Sequence, residues 1–371
     1  MTIDNPKRIP TYQEALDLVD KYECFYKKTE EIDKDCSLTS FTYRLASYSE
    51  FCNPCSLNMR GITFNSDTEE LVGLPFHKFF NYGENPFTEP NIVNSWDIYS
   101  VNEKLDGSLV YFVNANGNLC AKTKFNCFSS MALCAEDIIL GDNNSTNFIW
   151  DHLNAGLTPM FEYVGPDNQV VIPYTTSKLV YLGSRSMKTG NYISFIDDSS
   201  ELPEIFNTPT ISTEFTSISE ITSYCQTSEK MEEGFVLHFT NGEMVKIKTR
   251  KYVDLHHTLS SILNEKNLAS LILNDELDDL LPLLDNGYHN QIFEFKDVLL
   301  SNYNHIIHMA SEYFEDNKHL SNKDYALRAM DKFGSGTNYF SVSMSLKNNS
   351  FNEDKFKVRY INNKTWENQD K

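Results

Sequence analysis

Between Phe41 and about Thr249 the sequence runs in short stretches rich in Val, Ile, Leu, Tyr and Phe, among them Ser108 to Val113, Leu179 to Gly183, Tyr192 to Ile196 and Phe235 to Phe239. Stretches of that length and make-up, set off by turn residues, predict strands. Two of the separators, Asn116-Gly117 and Asn241-Gly242, are pairs that accept positive φ and close hairpins. Beyond Lys251 the apolar spacing becomes helical, with Leu259, Ile262 and Leu263, then Leu268, Leu271 and Ile272, and later Val298, Leu299, Ile306 and Ile307. A chain that changes texture once in this way predicts an α+β protein. Its antiparallel-rich N-terminal domain covers residues 1–250, and an all-α C-terminal domain covers 251–371. Tyr12 to Lys28, with Leu16, Val19 and Tyr22 at helical spacing, predicts an amphipathic helix leading into the first domain. The stretch Asn362 to Lys371 is polar apart from Trp366 and predicts a frayed end.

With 371 residues, 40% of them hydrophobic, two cores are within reach. No apolar run is long enough to span a bilayer, and Met1 to Pro10 carries charge and two prolines, so neither a membrane segment nor a secretory signal is expected. The eight cysteines are scattered and read as reduced thiols, which fits the cytoplasm. Thirty-two basic against 52 acidic residues leave a net charge of -20. That excludes a broadly basic, non-specific polyanion binder and leaves room only for a local cationic patch.

The segment Glu103-Lys104-Leu105-Asp106-Gly107-Ser108 places a K-x-D-G tetrad just ahead of a strand-like run. Alone, it is a turn with a solvated lysine. A lysine nucleophile also needs help in shedding its proton and in bearing developing negative charge. Met244-Val245-Lys246-Ile247-Lys248 alternates apolar and basic residues, so a strand there projects Lys246 and Lys248 from one face, suited to phosphate oxygens. The ordinary reading of that pattern is a solvent-facing edge strand. Glu162 lies within the apolar run Phe161 to Val164, and Glu233 stands at the entry to the strand before the basic pair. Carboxylates in such places need a cation or a metal as partner, and a site of a few carboxylates plus phosphates suits magnesium.

Taken in order, K-x-D-G, an apolar-Glu-aromatic strand, Glu-Gly-Phe-Val and an apolar-Lys-apolar-Lys strand resemble the covalent nucleotidyltransferase superfamily of polynucleotide ligases and capping enzymes. Ala46-Ser47-Tyr48-Ser49 after Tyr43, Arg60-Gly61-Ile62, Lys78-Phe79-Phe80-Asn81 and Glu84-Asn85-Pro86 make the chain look most like the bacteriophage RNA ligases that repair tRNA. The resemblance implies an ATP-grasp-like ligase domain and joining of 5′-phosphate and 3′-hydroxyl RNA ends through AMP bound to Lys104. It implies ATP as co-substrate, magnesium (with manganese as an alternative) as metal, and RNA, cleaved tRNA in particular, as partner, with no obligate protein partner. For a viral chain the compartment is the host cytoplasm. By the same resemblance Tyr43 and Phe80 enclose the adenine, while Arg60, Lys78, Gly107, Lys246 and Lys248 contact the nucleotide. Glu162 and Glu233 bind nucleotide or metal, and Asp278 is metal-associated. Asp106, Lys122, Lys124 and Tyr252 join the essential set. One departure is Tyr111, where the resembling enzymes carry a small hydroxyl residue. A capping guanylyltransferase, a DNA ligase and a non-catalytic RNA-binding protein on a ligase-like fold are the alternatives.

Cys52-Asn53-Pro54-Cys55 has no second C-x-x-C to complete a zinc site. His305 and His308 lack a third ligand, and Gly334-Ser335-Gly336-Thr337 lacks the P-loop lysine and reads as a connecting loop.

Overall fold

The computed structural model of the protein describes residues 2–3, 8–198, 200–262, 264–274, 277 and 286–367. The chain divides into two compact units, residues 1–256 and 257–371. Fourteen strands are described in the first: β1 Thr2–Ile3, β2 Phe25–Asp33, β3 Cys36–Tyr43, β4 Ile62–Asn65, β5 Leu71–Gly73, β6 Phe80–Asn81, β7 Ile98–Lys104, β8 Ser108–Ala115, β9 Asn118–Thr123, β10 Leu157–Val164, β11 Lys178–Ser186, β12 Tyr192–Ser194, β13 Gly234–Phe239 and β14 Met244–Lys248. They form a six-stranded sheet in the order β1-β12-β11-β10-β8-β9 and two four-stranded sheets, β6-β14-β13-β7 and β2-β3-β4-β5. The pairings are antiparallel except β6 with β14.

The six-stranded sheet is buried on both faces, which accounts for its nearly continuous apolar strands. One face packs Val110, Phe112 and Phe161 against Ala132 and Ile149 of helices Ser130–Ile139 and Asn143–Asn154. The other carries Tyr111, Val113 and Met160. In the β6-β14-β13-β7 sheet, Val101, Val245 and Ile247 pack on Ile221 of helix Ile218–Thr227. The opposite face of that sheet is left for the site. Asn116 and Gly117 both take positive φ in the β8–β9 hairpin.

The N-terminal helix is shorter than its spacing predicts. It covers Tyr12–Lys21, started by a capping box between Thr11 and Glu14, and Tyr22 is already extended. Phe25 to Lys28 belongs to the sheet: β2 pairs with β3 through the turn at Lys34-Asp35, so strand structure begins before Phe41. The strand predicted over Tyr192 to Ile196 stops at Ser194.

The second unit is helical, with helices Glu265–Leu273, Asn286–Asn317, Asn322–Phe333, Asn338–Lys347 and Glu353–Asn362. Leu299, Tyr303, Ile306 and Tyr360 are in its core. Trp366, expected in a frayed end, is buried there too. Among the described residues no helix is long and apolar enough to cross a membrane.

Candidate nucleotide site

Register builds one wall of the site. Across β7, β13 and β14, Lys104 pairs with Gly234 and Gly234 with Lys248; Asn102 with Val236 and Val236 with Lys246; Ser100 with His238 and His238 with Met244. Paired residues point to the same side of a sheet, so these rows share the face turned away from the apolar core. A cleft runs over them, closed on the other side by Leu109, Glu162 and Leu182 of the six-stranded sheet and by Phe76, Phe79 and Phe195.

The rows grade in polarity. In the outer row Glu233 bridges two ammonium groups, Oε2 at 2.7 Å from Lys104 Nζ and Oε1 at 2.9 Å from Lys248 Nζ. Gly234 carries no side chain because a Cβ there would lie 2.1 Å from the Ile247 carbonyl oxygen, at a φ of +135°. In the middle row, burial and then the charges of Lys78, Arg60, Lys104 and Lys248 push the Lys246 ammonium down to about 7. Asn102 is 4% exposed, and its Oδ1, like the Ser100 hydroxyl, has no hydrogen-bond partner among the described residues. In the inner row burial pushes the His238 imidazole down to about 4, so it is neutral. Facing these rows, burial pushes the Glu162 carboxyl up to about 7, against the attraction of Lys104.

The K-x-D-G tetrad is the crossing between sheets: Lys104 ends β7 and Ser108 begins β8. Asp106 fastens that crossing from behind. Its Oδ2 accepts the Val171 and Ile172 N–H groups, both at 2.7 Å, and its Oδ1 accepts the Tyr252 hydroxyl at 2.7 Å. Tyr252 thus acts through Asp106, and its ring lies 4.9 Å from Lys248 Nζ. Gly107 lets β8 and β10 close, since a Cβ would sit 2.3 Å from the Tyr163 carbonyl oxygen.

Arg60 lines the cleft and donates from Nη1 to the Phe76 carbonyl at 3.3 Å. Lys78 and Lys124 stand 5.9 and 5.1 Å from the centre of the Tyr43 ring, and burial lowers both their pKa values. The apolar walls of the cleft are Phe76, Phe79, Leu182, Phe195 and Val236. Tyr43 and Phe80 stand outside that lining, as do Lys78, Glu233 and Lys248; Phe80 is 6% exposed and packs on Phe51. Lys122 is fully buried behind the site, donating to Ser40 Oγ at 2.8 Å and to the Tyr111 hydroxyl at 3.0 Å. Tyr111 in turn donates to the Gly61 carbonyl beside Arg60. Asp278 lies outside the described residues. Cys52 is exposed and Cys55 buried, both free thiols, and no group of three or more metal-ligating side chains occurs among the described residues.

Residues 58–252 match the family described as RNA ligase, and residues 260–371 match the T4 RNA ligase 1 C-terminal domain. The chain belongs to the RNA ligase family. It is 29% identical over 268 residues to a Thermovibrio ammonificans protein assigned as an RNA ligase, covering 71% of this chain and 69% of that protein. With the RNA ligase of Rhodothermus phage RM378 it shares 25% identity over 333 residues, 71% of this chain and 75% of the relative. A solved archaeal ATP-dependent RNA ligase overlaps at 15% identity with a TM-score of 0.45; the overlap is 71% of this chain and 65%, just under two thirds, of that one.

Proposed function

We propose that this RNA ligase is ATP-dependent and joins 5′-phosphate to 3′-hydroxyl RNA ends through AMP carried on Lys104, acting in repair of cleaved tRNA. The observation that carries the reading is the polarity gradient of the cleft. Its inner and middle rows offer the uncharged polar groups of His238 and Asn102 and apolar walls for a base, while Lys246 in the middle row and Lys104 in the outer row, with Lys248 beside it, offer charge for phosphates. The unpartnered Asn102 Oδ1 is an acceptor suited to the exocyclic amine of adenine.

Lys104 passes its proton to solvent water, and its amine forms a bond to the α-phosphorus as the bond to the bridging oxygen breaks and pyrophosphate leaves. Lys246 and Lys248 bear the charge that develops on the departing oxygens. The 5′-phosphate of the RNA then attacks the same phosphorus, the P–N bond breaks and Lys104 recovers its proton. Finally the 3′-hydroxyl attacks the 5′-phosphate and AMP leaves. Glu233 holds Lys104 and Lys248 in place before ATP arrives, and Glu162, titrating near 7, stands ready to exchange a proton or hold a cation. A divalent ion fits here only with phosphate oxygens and water completing its shell, held by Glu162, and by Glu233 once that residue releases a lysine. Such an ion supplies charge neutralisation on the phosphates. The family match over residues 260–371 to the T4 RNA ligase 1 C-terminal domain is why a part in choosing the RNA is assigned to the helical unit, and cleaved tRNA is the substrate that the resemblance of the motifs implies.

The test is incubation with magnesium and α-labelled ATP or GTP, followed by intact mass and discharge onto 5′-phosphorylated RNA or nicked DNA duplex. An AMP adduct on Lys104, absent from Lys104→Ala and discharged onto RNA, is expected. A GMP adduct moves the chain to capping chemistry. No adduct, with the site shown free of prebound AMP, moves it to a non-catalytic RNA binder.

A further inference from the structure

Between β5 and β6 the chain runs from Leu74 to Phe79 without regular structure, yet Leu74 to His77 are buried. This strap carries Phe76 and Phe79, which wall the cleft, and Lys78. Buried coil needs partners for its backbone polar groups. Three of them come from one row of the six-stranded sheet, in which Thr158 pairs with Arg185 and Arg185 with Tyr192. The Leu74 N–H donates to Thr158 Oγ1 at 2.9 Å, Arg185 Nη1 donates to the Pro75 carbonyl at 2.7 Å, and the His77 N–H donates to the Tyr192 hydroxyl at 3.0 Å. That hydroxyl also meets His77 Nδ1 at 2.7 Å, which fixes the ring.

Arg185 is fully buried and has no carboxylate partner among the described residues. Its Nε donates to the Gly190 carbonyl at 3.0 Å, its guanidinium carbon lies 4.9 Å from the Tyr192 ring centre, and its Nη2 has no partner among the described residues. Burying an uncompensated guanidinium is unfavourable, and a well-packed apolar side chain would serve stability better. What an apolar side chain cannot do is hold the Pro75 carbonyl. From there the strap reaches the site directly. The Phe79 ring lies 5.2 Å from Lys246 Nζ and 6.0 Å from the Arg60 guanidinium, and Arg60 itself donates to the Phe76 carbonyl.

We propose that Arg185 and Tyr192 are positioning residues for the nucleotide cleft, setting Lys78, Phe79 and Arg60 through the backbone of Pro75 to His77. This rests on the nucleotide reading of the cleft given above. The test is a double-mutant cycle in ATP affinity, measured calorimetrically on the full chain without divalent metal so that no adduct forms, using Tyr192→Phe, Lys78→Ala and the two together. Tyr192→Phe is expected to melt cooperatively and to bind ATP about tenfold more weakly. If Tyr192 acts through the strap, the double variant loses clearly less affinity than the product of the two single losses, because part of the Tyr192→Phe loss is carried by Lys78. A merely structural role lowers the melting temperature and leaves ATP affinity as in wild type, or gives losses that multiply; either result overturns the proposal. Arg185→Lys keeps the charge but loses the planar reach to Pro75, and is expected to follow Tyr192→Phe. Should it fail to fold, the Tyr192 cycle still decides. Wild-type chain that binds no ATP overturns the nucleotide reading and this proposal together. ATP binding without adduct formation once magnesium is added overturns only the covalent reaction and leaves the cycle readable.

Discussion

Burial brings Lys246 down and Glu162 up to about 7, because it disfavours the charged form of each. The lysine is desolvated among four other cations, and the carboxyl is desolvated beside another carboxylate. A triphosphate favours the charged form of Lys246, so at about pH 8, where the free lysine is mostly neutral, ATP binding should take up protons. Calorimetry in buffers of different ionisation enthalpy reads this directly; Lys246→Met should remove the larger part of the uptake, and an unchanged uptake would locate the titration elsewhere. Glu162 bears on stability instead. Its folded pKa is raised, so its contribution is fully present below the ordinary value near 4.5 and is lost as pH rises through about 7. Glu162→Gln should therefore stabilise the nucleotide-free protein at about pH 8, by about 1–3 kcal/mol, and change little at about pH 5. Denaturant melts at the two pH values check the sign, and equal effects at both would mean that the carboxyl is not the titrating group.

At the scale of elements, the close approach of β8 to β10 at Gly107 makes a methyl group there intolerable without moving the Lys104 crossing. Gly107→Ala should lower adduct formation by about a hundredfold, because a displacement near 1 Å at a reacting group costs about that much. Melting should show a folded protein, and adduct formation at the wild-type rate would show that the crossing tolerates the shift. The alternation from Met244 to Lys248 was readable because a strand period of two leaves one choice of face. The crossing at Lys104 was readable because Asp-Gly cannot continue a strand. The cleft walls were not: Phe76, Phe79, Leu182, Phe195 and Val236 come from separate stretches, and an apolar residue lining a cleft looks the same in sequence as one in a core. Tyr43 and Phe80 are linked to the base by likeness of motif alone, and both rings pack on Phe51. The helix expected to run on to Lys28 failed for a related reason. Leu16, Val19 and Tyr22 set a helical stripe on paper, but Phe25 just beyond them is claimed by pairing with Tyr43, a long-range choice that local spacing cannot see. Nothing in the sequence singled out Arg185, since a buried arginine reads like any surface one.

Across the whole molecule, a net charge of -20 contrasts with a cleft lined by Arg60, Lys104 and Lys246, with Lys248 ion-paired to Glu233 beside it. Salt then acts on RNA binding in two opposing ways, weakening the few phosphate contacts in the cleft and relieving repulsion from the rest of the surface. The Michaelis constant for 5′-phosphorylated RNA should vary only shallowly between about 50 and 200 mM salt, much less than the 10³-fold or more typical of a protein making about six phosphate contacts. A steep dependence would reveal an extended cationic track that the charge balance argues against. The same arrangement has a consequence for what the molecule notices in a pool of nucleic acid. A net charge of -20 disfavours loose association with the flank of an uninterrupted strand, so most of the affinity for RNA is expected to come from an end that enters the cleft. Broken RNA should then outcompete intact RNA of the same length in a binding assay, and equal competition would show that the end is not what is held.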